Sequence, residues 1–278
     1  PKTVVALGHL KELKGLTGSP SKGVVVKAGM TLTEVCEHEG IRKAYPALAH
    51  TVRSISTPLL RNMGTIGGNV CLDTRCNYYN QNYEWRKSID FCMKKDGETC
   101  WVAPGSQRCW AVSSSDSAPV LVAMRAKLKL IGKSGARTIE AKELFKDDGI
   151  QYLTKKPGEI LTEIKLPALN GWRASYQKLR RRGSFDFPVL GVAACVWFEK
   201  DRTVKDARIV LGGIASYPKP APEAEQFLIG RPLTADAIRH AAELACNAGR
   251  PLDNTDFTMN WRKQMVKVYT ERALKELL

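Results

Sequence analysis

The chain has 278 residues, 44% of them hydrophobic, and a formal net charge of +15. That suffices for one large domain or two ordinary ones with a real core. No apolar run approaches the roughly 18–20 residues of a membrane helix, and the longest, Val189–Phe198, stops at Glu199 and Lys200. The positive charge suits nucleic acid, an anionic cofactor, an acidic partner or a membrane surface. Lysines and arginines are spread along the whole length, however, and the densest cluster, Lys178–Gly183, lies in a strand-like stretch. With no basic helix carrying interleaved aromatics, neither nucleic acid nor a membrane is an expected partner. The chain begins at Pro1 rather than Met, so a motif upstream is expected to lie outside it.

In chain order, "GVVVKAG" (Gly23–Gly29) reads as a strand, and Thr31–Glu34 as a capping box. "YPALAHTVRSI" reads as a helix, with Pro46 suited to its first turn and Leu48, Val52 and Ile55 at helical spacing. His50 on that helix has no second histidine nearby and reads as a surface or packed residue. The segment from Cys71 to about Trp110 has no clean periodicity and is rich in Asn, Tyr, Lys, Gly and Cys. A loop this long in a compact domain is functional or held by something extra. Regular structure resumes with "PVLVAMRAKLKLIG" as a strand, "TIEAKELF" as a short helix and "EILTEIKLP" as a strand ending at Pro167. "ASYQKLRRRG", "VLGVAACVWFEKD" and "TVKDARIVLGG" then read as an antiparallel meander, followed by helices within Ala221–Gly230, at "TADAIRHAAELACNAG" and at "MNWRKQMVKVYTERALKEL". Strands followed by helices imply an α+β domain, with a boundary near Pro167–Gly171.

Of eight cysteines, Cys36, Cys195 and Cys246 sit in apolar contexts and read as small buried hydrophobes. The other five fall between Cys71 and Cys109. Disulfides would need an oxidising compartment. Zinc favours close C-x₂₋₄-C pairs, and only Cys71 and Cys76 form one. An iron–sulfur cubane needs four thiolates, and Cys76, Cys92, Cys100 and Cys109 are separated by 16, 8 and 9 positions. Arg75, Arg86, Lys87, Lys94, Lys95 and Arg108 can offset thiolate charge, while Tyr78, Tyr79, Trp85, Phe91, Trp101 and Trp110 can shield a cluster from water. The spacing favours iron–sulfur over zinc.

The loop "GTIGGN" (Gly64–Asn69) reads either as a tight turn between strands or as a run of bare amides that hydrogen-bond a pyrophosphate. It is not the G-x-G-x-x-G of a Rossmann unit. Taken together, "RNMGTIGGNVCLDTRC" (Arg61–Cys76) and "DFCMKKDGETCWVAPGSQRC" (Asp90–Cys109) resemble the flavoprotein subunit of the molybdenum hydroxylases. Within that family they look most like the branch of the 4-hydroxybenzoyl-CoA reductase β subunit, which carries an inserted loop holding a [4Fe-4S] cluster. The resemblance extends over nearly the whole chain, including "FDFPVLGVAA" and the C-terminal helices.

The resemblance implies an α+β fold. Residues 1–167 would form an FAD-binding domain, its first FAD-binding subdomain mostly missing and an iron–sulfur insertion at about 71–110. Residues 168–278 would form an α+β C-terminal domain with an antiparallel sheet and helices. It implies that Thr65, Ile66, Gly67, Gly68 and Asn69 match a phosphate-contacting FAD loop, with Ser115, Asp116, Leu161 and Lys178 also at the FAD. Cys76, Cys92, Cys100 and Cys109 would bind the cluster, and Cys71 would be a packed thiol without a ligand role. The partners implied are a molybdenum-binding large subunit, a [2Fe-2S] small subunit and a ferredoxin-like electron donor, in a cytoplasmic complex of aromatic-compound degradation. Electrons would pass from that donor through cluster and FAD to the partners, reducing 4-hydroxybenzoyl-CoA. The alternatives are a subunit of another aromatic or heterocycle molybdenum hydroxylase of the xanthine dehydrogenase kind, a zinc-stabilised binding module and a disulfide-stapled extracellular domain.

Overall fold

The computed structural model describes residues 2–278 and contains two antiparallel sheets. The first opens with the hairpin of β1 (Leu16–Ser19) and β2 (Gly23–Lys27). Four short helices follow, α1 (Leu32–Glu37), α2 (Glu39–Ala44), α3 (Pro46–Arg53) and α4 (Pro58–Arg61). The Thr31–Glu34 capping box is formed: the Thr31 hydroxyl accepts from the Glu34 amide at 3.1 Å, and the Glu34 carboxylate accepts from the Thr31 amide at 2.6 Å. α3 starts at Pro46 and buries Leu48 and Val52, leaving His50 exposed. After α5 (Ile66–Val70), α6 (Tyr83–Ser88) and α7 (Ser117–Ala123) come β3 (Lys127–Gly132), β4 (Gly135–Glu140) and β5 (Ile160–Leu166). The strand order is β1-β2-β5-β3-β4. Val26 and Leu128 both pair with Ile164, so one fully buried apolar row crosses three strands.

The second sheet runs β6 (Trp172–Leu179), β7 (Leu190–Phe198), β8 (Val204–Gly212) and the two-residue β9 (Lys219–Pro220) in sequence order. The helices α8 (Pro222–Leu228), α9 (Ala235–Ala248) and α10 (Met259–Lys275) follow. β7 is buried on both faces, which explains its unbroken apolar run. Its alternation divides it between two cores. Val192, Ala194 and Val196 face the core with α8–α10, whereas Ala193 and Cys195 join the core of the first sheet. This is the expected α+β architecture. No helix among the described residues is long and apolar enough to cross a membrane.

Three local expectations change. "PVLVAMRAKLKLIG" is not one strand: its first half is the end of α7, and the chain reverses through Arg125 at φ 51° before β3. The valines look strand-like, but α7 is buried all round, so no amphipathic period marks it. "TIEAKELF" is split, with Thr138–Glu140 finishing β4 and only Ala141–Leu144 forming a single 3₁₀ turn. The glycine loop is neither a turn between strands nor a bare nest; it is the short helix α5, capped by Thr65.

β4 is the edge strand, and Arg137 ties it to the turn before β5. Its guanidinium donates twice to the Glu159 carboxylate, at 2.8 Å each, and the Lys156 amide donates to the same carboxylate at 2.7 Å. The Arg137 bonds first, and the Lys156 amide second, hold the Glu159 carboxyl at about 2 against an ordinary 4.5. A carboxyl held below its unfolded value contributes stability that is present above the unfolded value and is lost as pH falls through the folded one. Arg137→Met is therefore expected to lower the melting temperature near neutral pH and to show a smaller further drop from about pH 5 to about pH 2 than wild type. Melting curves followed by circular dichroism decide it; parallel pH profiles would show that the pair contributes nothing.

Candidate functional site

A cleft of about 330 Å³ opens between the first sheet and α5. Its lining includes Thr65, Gly67, Gly68 and Leu161 from the predicted FAD set, together with Leu13, Ala28, Gly29, Cys71, Lys155 and Glu159. Close approach builds it. A Cβ on Gly67 would lie 2.7 Å from the Ala28 Cβ, and one on Gly29 would lie 2.7 Å from the Leu13 carbonyl oxygen. The amides of the loop are already engaged: Ile66 donates to the Met30 carbonyl, Gly67 to the Ala28 carbonyl and Gly68 to the Thr65 hydroxyl. The glycines thus act through missing side chains rather than through free amides, which differs from the amide cradle inferred from sequence. The lining is mainly apolar, with the Lys155 and Glu159 side chains as its charged groups.

Ile66, Asn69, Ser115, Asp116 and Lys178 do not line this cleft; they form its buried support. The Asn69 side-chain oxygen accepts from the Ser115 hydroxyl at 3.0 Å, the Ser117 hydroxyl at 2.6 Å and the Ser117 amide at 3.2 Å. That fixes α5 against the start of α7. Next to it, the Asp116 carboxylate accepts from the Tyr176 hydroxyl at 2.8 Å and from the Lys178 ammonium at 3.0 Å. Lys178 also donates to the Ser54 carbonyl at 3.1 Å. Burial raises the Asp116 pKa and lowers that of Lys178, and each partner's charge opposes the shift.

Cys76, Cys92, Cys100 and Cys109 are all buried and line a single cavity of about 10 Å³ with Tyr78, Tyr79, Met93, Lys94, Trp101 and Val102. All eight cysteines of the chain are free thiols. Among the described residues, no group of three or more His, Cys, Asp or Glu side chains forms a site that could hold a metal ion. One backbone amide donates to these sulfurs, Ala111 to Cys109 at 3.4 Å, while the Tyr79 and Ala103 amides donate to the Cys76 and Cys100 carbonyls. Burial pushes the Cys76 thiol up to about 11. A hydrogen bond from Cys109 pulls Cys100 down to about 5 against burial, and the same bond, with burial, raises Cys109. Four buried thiols on one cavity are the ligand type that iron–sulfur clusters take, but among the described residues they do not stand in a metal-ion arrangement. Cys71 stands apart, lining the cleft beside α5, where burial pushes it up to about 11.

Sequence reasoning missed Lys155, Glu159, Gly29 and Gly149. "KKPGE" is readable as a turn, with Gly158 at φ 76°, but nothing in it signals that the turn faces a cleft. Gly149 carries no local signal at all. A Cβ there would lie 2.6 Å from the Cys109 sulfur, so the loop beside the cysteine cavity closes only over a glycine.

A family model described as the FAD binding domain in molybdopterin dehydrogenase matches residues 1–169, and one described as the CO dehydrogenase flavoprotein C-terminal domain matches residues 174–277. The chain is 26% identical to the glyceraldehyde dehydrogenase medium chain of Sulfolobus acidocaldarius over 277 residues, covering 100% of this chain and 83% of that one. It is 24% identical to the carbon monoxide dehydrogenase medium chain of Hydrogenophaga pseudoflava, with 99% and 81% covered. Among solved structures, carbon monoxide dehydrogenase from Hydrogenophaga pseudoflava lacking the Mo-pyranopterin moiety superposes with a TM-score of 0.74 at 24% identity, covering 95% of this chain and 77% of that one. That likeness is one of fold.

Gly67→Ala is expected to force α5 away from Ala28, the residue that follows β2, at the cleft floor. Overpacking of this kind costs about 1–3 kcal/mol, so FAD affinity should fall roughly tenfold or more. Fluorescence titration of the flavin-stripped chain measures it; an unchanged Kd would show that the Ala28 contact does not shape the site.

Proposed function

The chain belongs to the family of FAD-binding medium subunits of the molybdenum hydroxylase and CO dehydrogenase type, and from that premise we propose that it relays electrons within a heteromeric molybdenum oxidoreductase, holding an iron–sulfur cluster as well as FAD. The observation that carries this reading is the convergence of Cys76, Cys92, Cys100 and Cys109 on one buried cavity in a chain that also carries the flavin cleft. When bound, FAD supplies a carrier for one or two electrons and the cluster a carrier for one. The four sulfurs would ligate iron, and the Ala111 amide would stabilise charge on the Cys109 sulfur. Gly67 and Gly68 give the FAD phosphates room, Lys155 offsets their charge, and Leu13 and Leu161 exclude water from the cleft. Thr65 caps α5 and Asn69 braces it, while Ile66 packs beneath it and Ser115, Asp116 and Lys178 fix its orientation from behind.

In this reading the partners are a molybdenum-binding large subunit, a [2Fe-2S] small subunit and a ferredoxin-like donor. The complex is cytoplasmic, where thiols stay reduced. The substrate is 4-hydroxybenzoyl-CoA, dehydroxylated by reduction; the four-cysteine insertion is what supports that choice. A second reading, oxidation of an aldehyde or heterocycle, is favoured by relatives named as an aldehyde oxidoreductase subunit, a nicotine 6-hydroxylase subunit and a xanthine dehydrogenase subunit.

Anaerobically purified chain should contain about four irons and four sulfides and give an EPR signal after dithionite. Zinc without sulfide would overturn the cluster. Cys109→Ser should lose iron and sulfide while keeping flavin. The assembled complex then separates the substrates: reduction of the aryl-CoA thioester supports the first reading, and oxidation of an aldehyde or N-heterocycle supports the second.

A further inference from the structure

Lys94 is the buried cation of the cysteine cavity. Its side chain is 6% exposed and lines the cavity beside Met93 and Tyr79. Its ammonium donates to Asp73 Oδ1 at 2.8 Å, Thr74 Oγ1 at 2.8 Å and the Gly149 carbonyl at 2.6 Å, and lies 4.8 Å from the Tyr79 ring centroid. The Gly149 amide in turn donates to the Cys109 carbonyl at 2.9 Å. One lysine therefore pins the start of the insertion, at Asp73 and Thr74, to the Gly149 loop that packs on the Cys109 sulfur.

The charges of this pair are unequally screened. The Asp73 side chain is 44% exposed and sits half in water, whereas the Lys94 side chain is 6% exposed and lines the cavity that the four cysteines also line. Coulomb energy falls with the local dielectric constant, so the carboxylate's field is damped on the water side while that of the ammonium reaches the cavity. We infer that Lys94 is a positioning residue whose fixed positive charge raises the reduction potential of the cluster held by Cys76, Cys92, Cys100 and Cys109. Adding one electron makes a cluster more negative by one charge, and a buried cation beside it favours that state. The inference rests on the cluster reading above.

The test is an EPR-monitored redox titration of the full chain as wild type, Lys94→Gln, Lys94→Arg and Asp73→Asn, after iron and sulfide analysis of each. The expected result is a lower midpoint potential in K94Q, a near wild-type midpoint in K94R, and a higher midpoint in D73N, where the ammonium loses its counter-charge. Unchanged midpoints in both K94Q and D73N overturn the inference. Should K94Q fail to retain its cluster, D73N decides alone: an upward shift supports the role of Lys94 and no shift overturns it. Wild-type chain without iron and sulfide overturns the cluster reading and this inference with it, a failure seen in the metal analysis before any potential is measured.

Discussion

The buried pair of Asp116 and Lys178 is the constraint on which the rest of the structure depends. Taking two charges out of water costs several kcal/mol per ion, and the cost is recovered only where geometry is good and the remaining polar sites are filled. Here the two Asp116 oxygens take Tyr176 and Lys178, and Lys178 takes the Ser54 carbonyl as well. The end of α3, the start of α7 and the strand β6 must therefore come together at once. That joins the two sheets at a point where neither could be moved without exposing or orphaning a charge. Removing one partner of such a pair costs about 3–5 kcal/mol because the other charge remains buried. The same turn carries Ser115 and Ser117 to Asn69, so the position of the glycine helix α5 follows from the ion pair rather than from any local preference of its own sequence.

The C-terminal unit serves the site in a second way, as the mount for the insertion. Arg262 on α10 is fully buried and donates to carbonyls of Leu252, Val189 and Gly213 and to the Asn254 side chain. Burial lowers its pKa to about 10, with Asp253 and Asp256 opposing the shift. Asn254 passes that anchorage on: its side chain donates to the Trp110 carbonyl at 2.7 Å and its carbonyl accepts from the Asn77 amide at 2.9 Å. Asn77 and Trp110 are the neighbours of Cys76 and Cys109, so the two ends of the insertion are fixed through Asn254 by a helix, α10, that starts only at Met259. A long loop with little regular structure is ordered because its ends are tied to a preformed surface.

Much of this was readable in the chain. The capping box at Thr31, the Pro46 helix start and the meander from Trp172 each have local causes, in hydrogen-bonding side chains, a fixed φ and period-two burial. The four cysteines singled out by their spacing line one cavity. What could not be read depends on contacts distant in sequence. α7 is buried all round, so it looks like a strand, and its helical start depends on Asn69 and Ser115 meeting. The engagement of the α5 amides depends on where β2 lies. Gly149 and Lys155 face the two cavities from segments that carry only turn chemistry of their own.

The nearness of the two sites follows from chain geometry alone. Cys71 lines the cleft beside α5 and Cys76 lines the cysteine cavity. Five residue steps separate them, and a fully extended chain spans at most about 3.3–3.6 Å per residue, so their Cα atoms lie no more than about 18 Å apart. The intervening residues are also anchored: Arg75 exchanges backbone hydrogen bonds with Val112, and Thr74 donates to the Gly149 carbonyl. Whatever occupies the cleft and whatever the four sulfurs hold are thus kept close by a short, hydrogen-bonded segment rather than by the docking of two domains. Domain motion could alter a distance set by an interface, but it cannot stretch five residues of backbone, and an electron carrier benefits most from a separation of that kind.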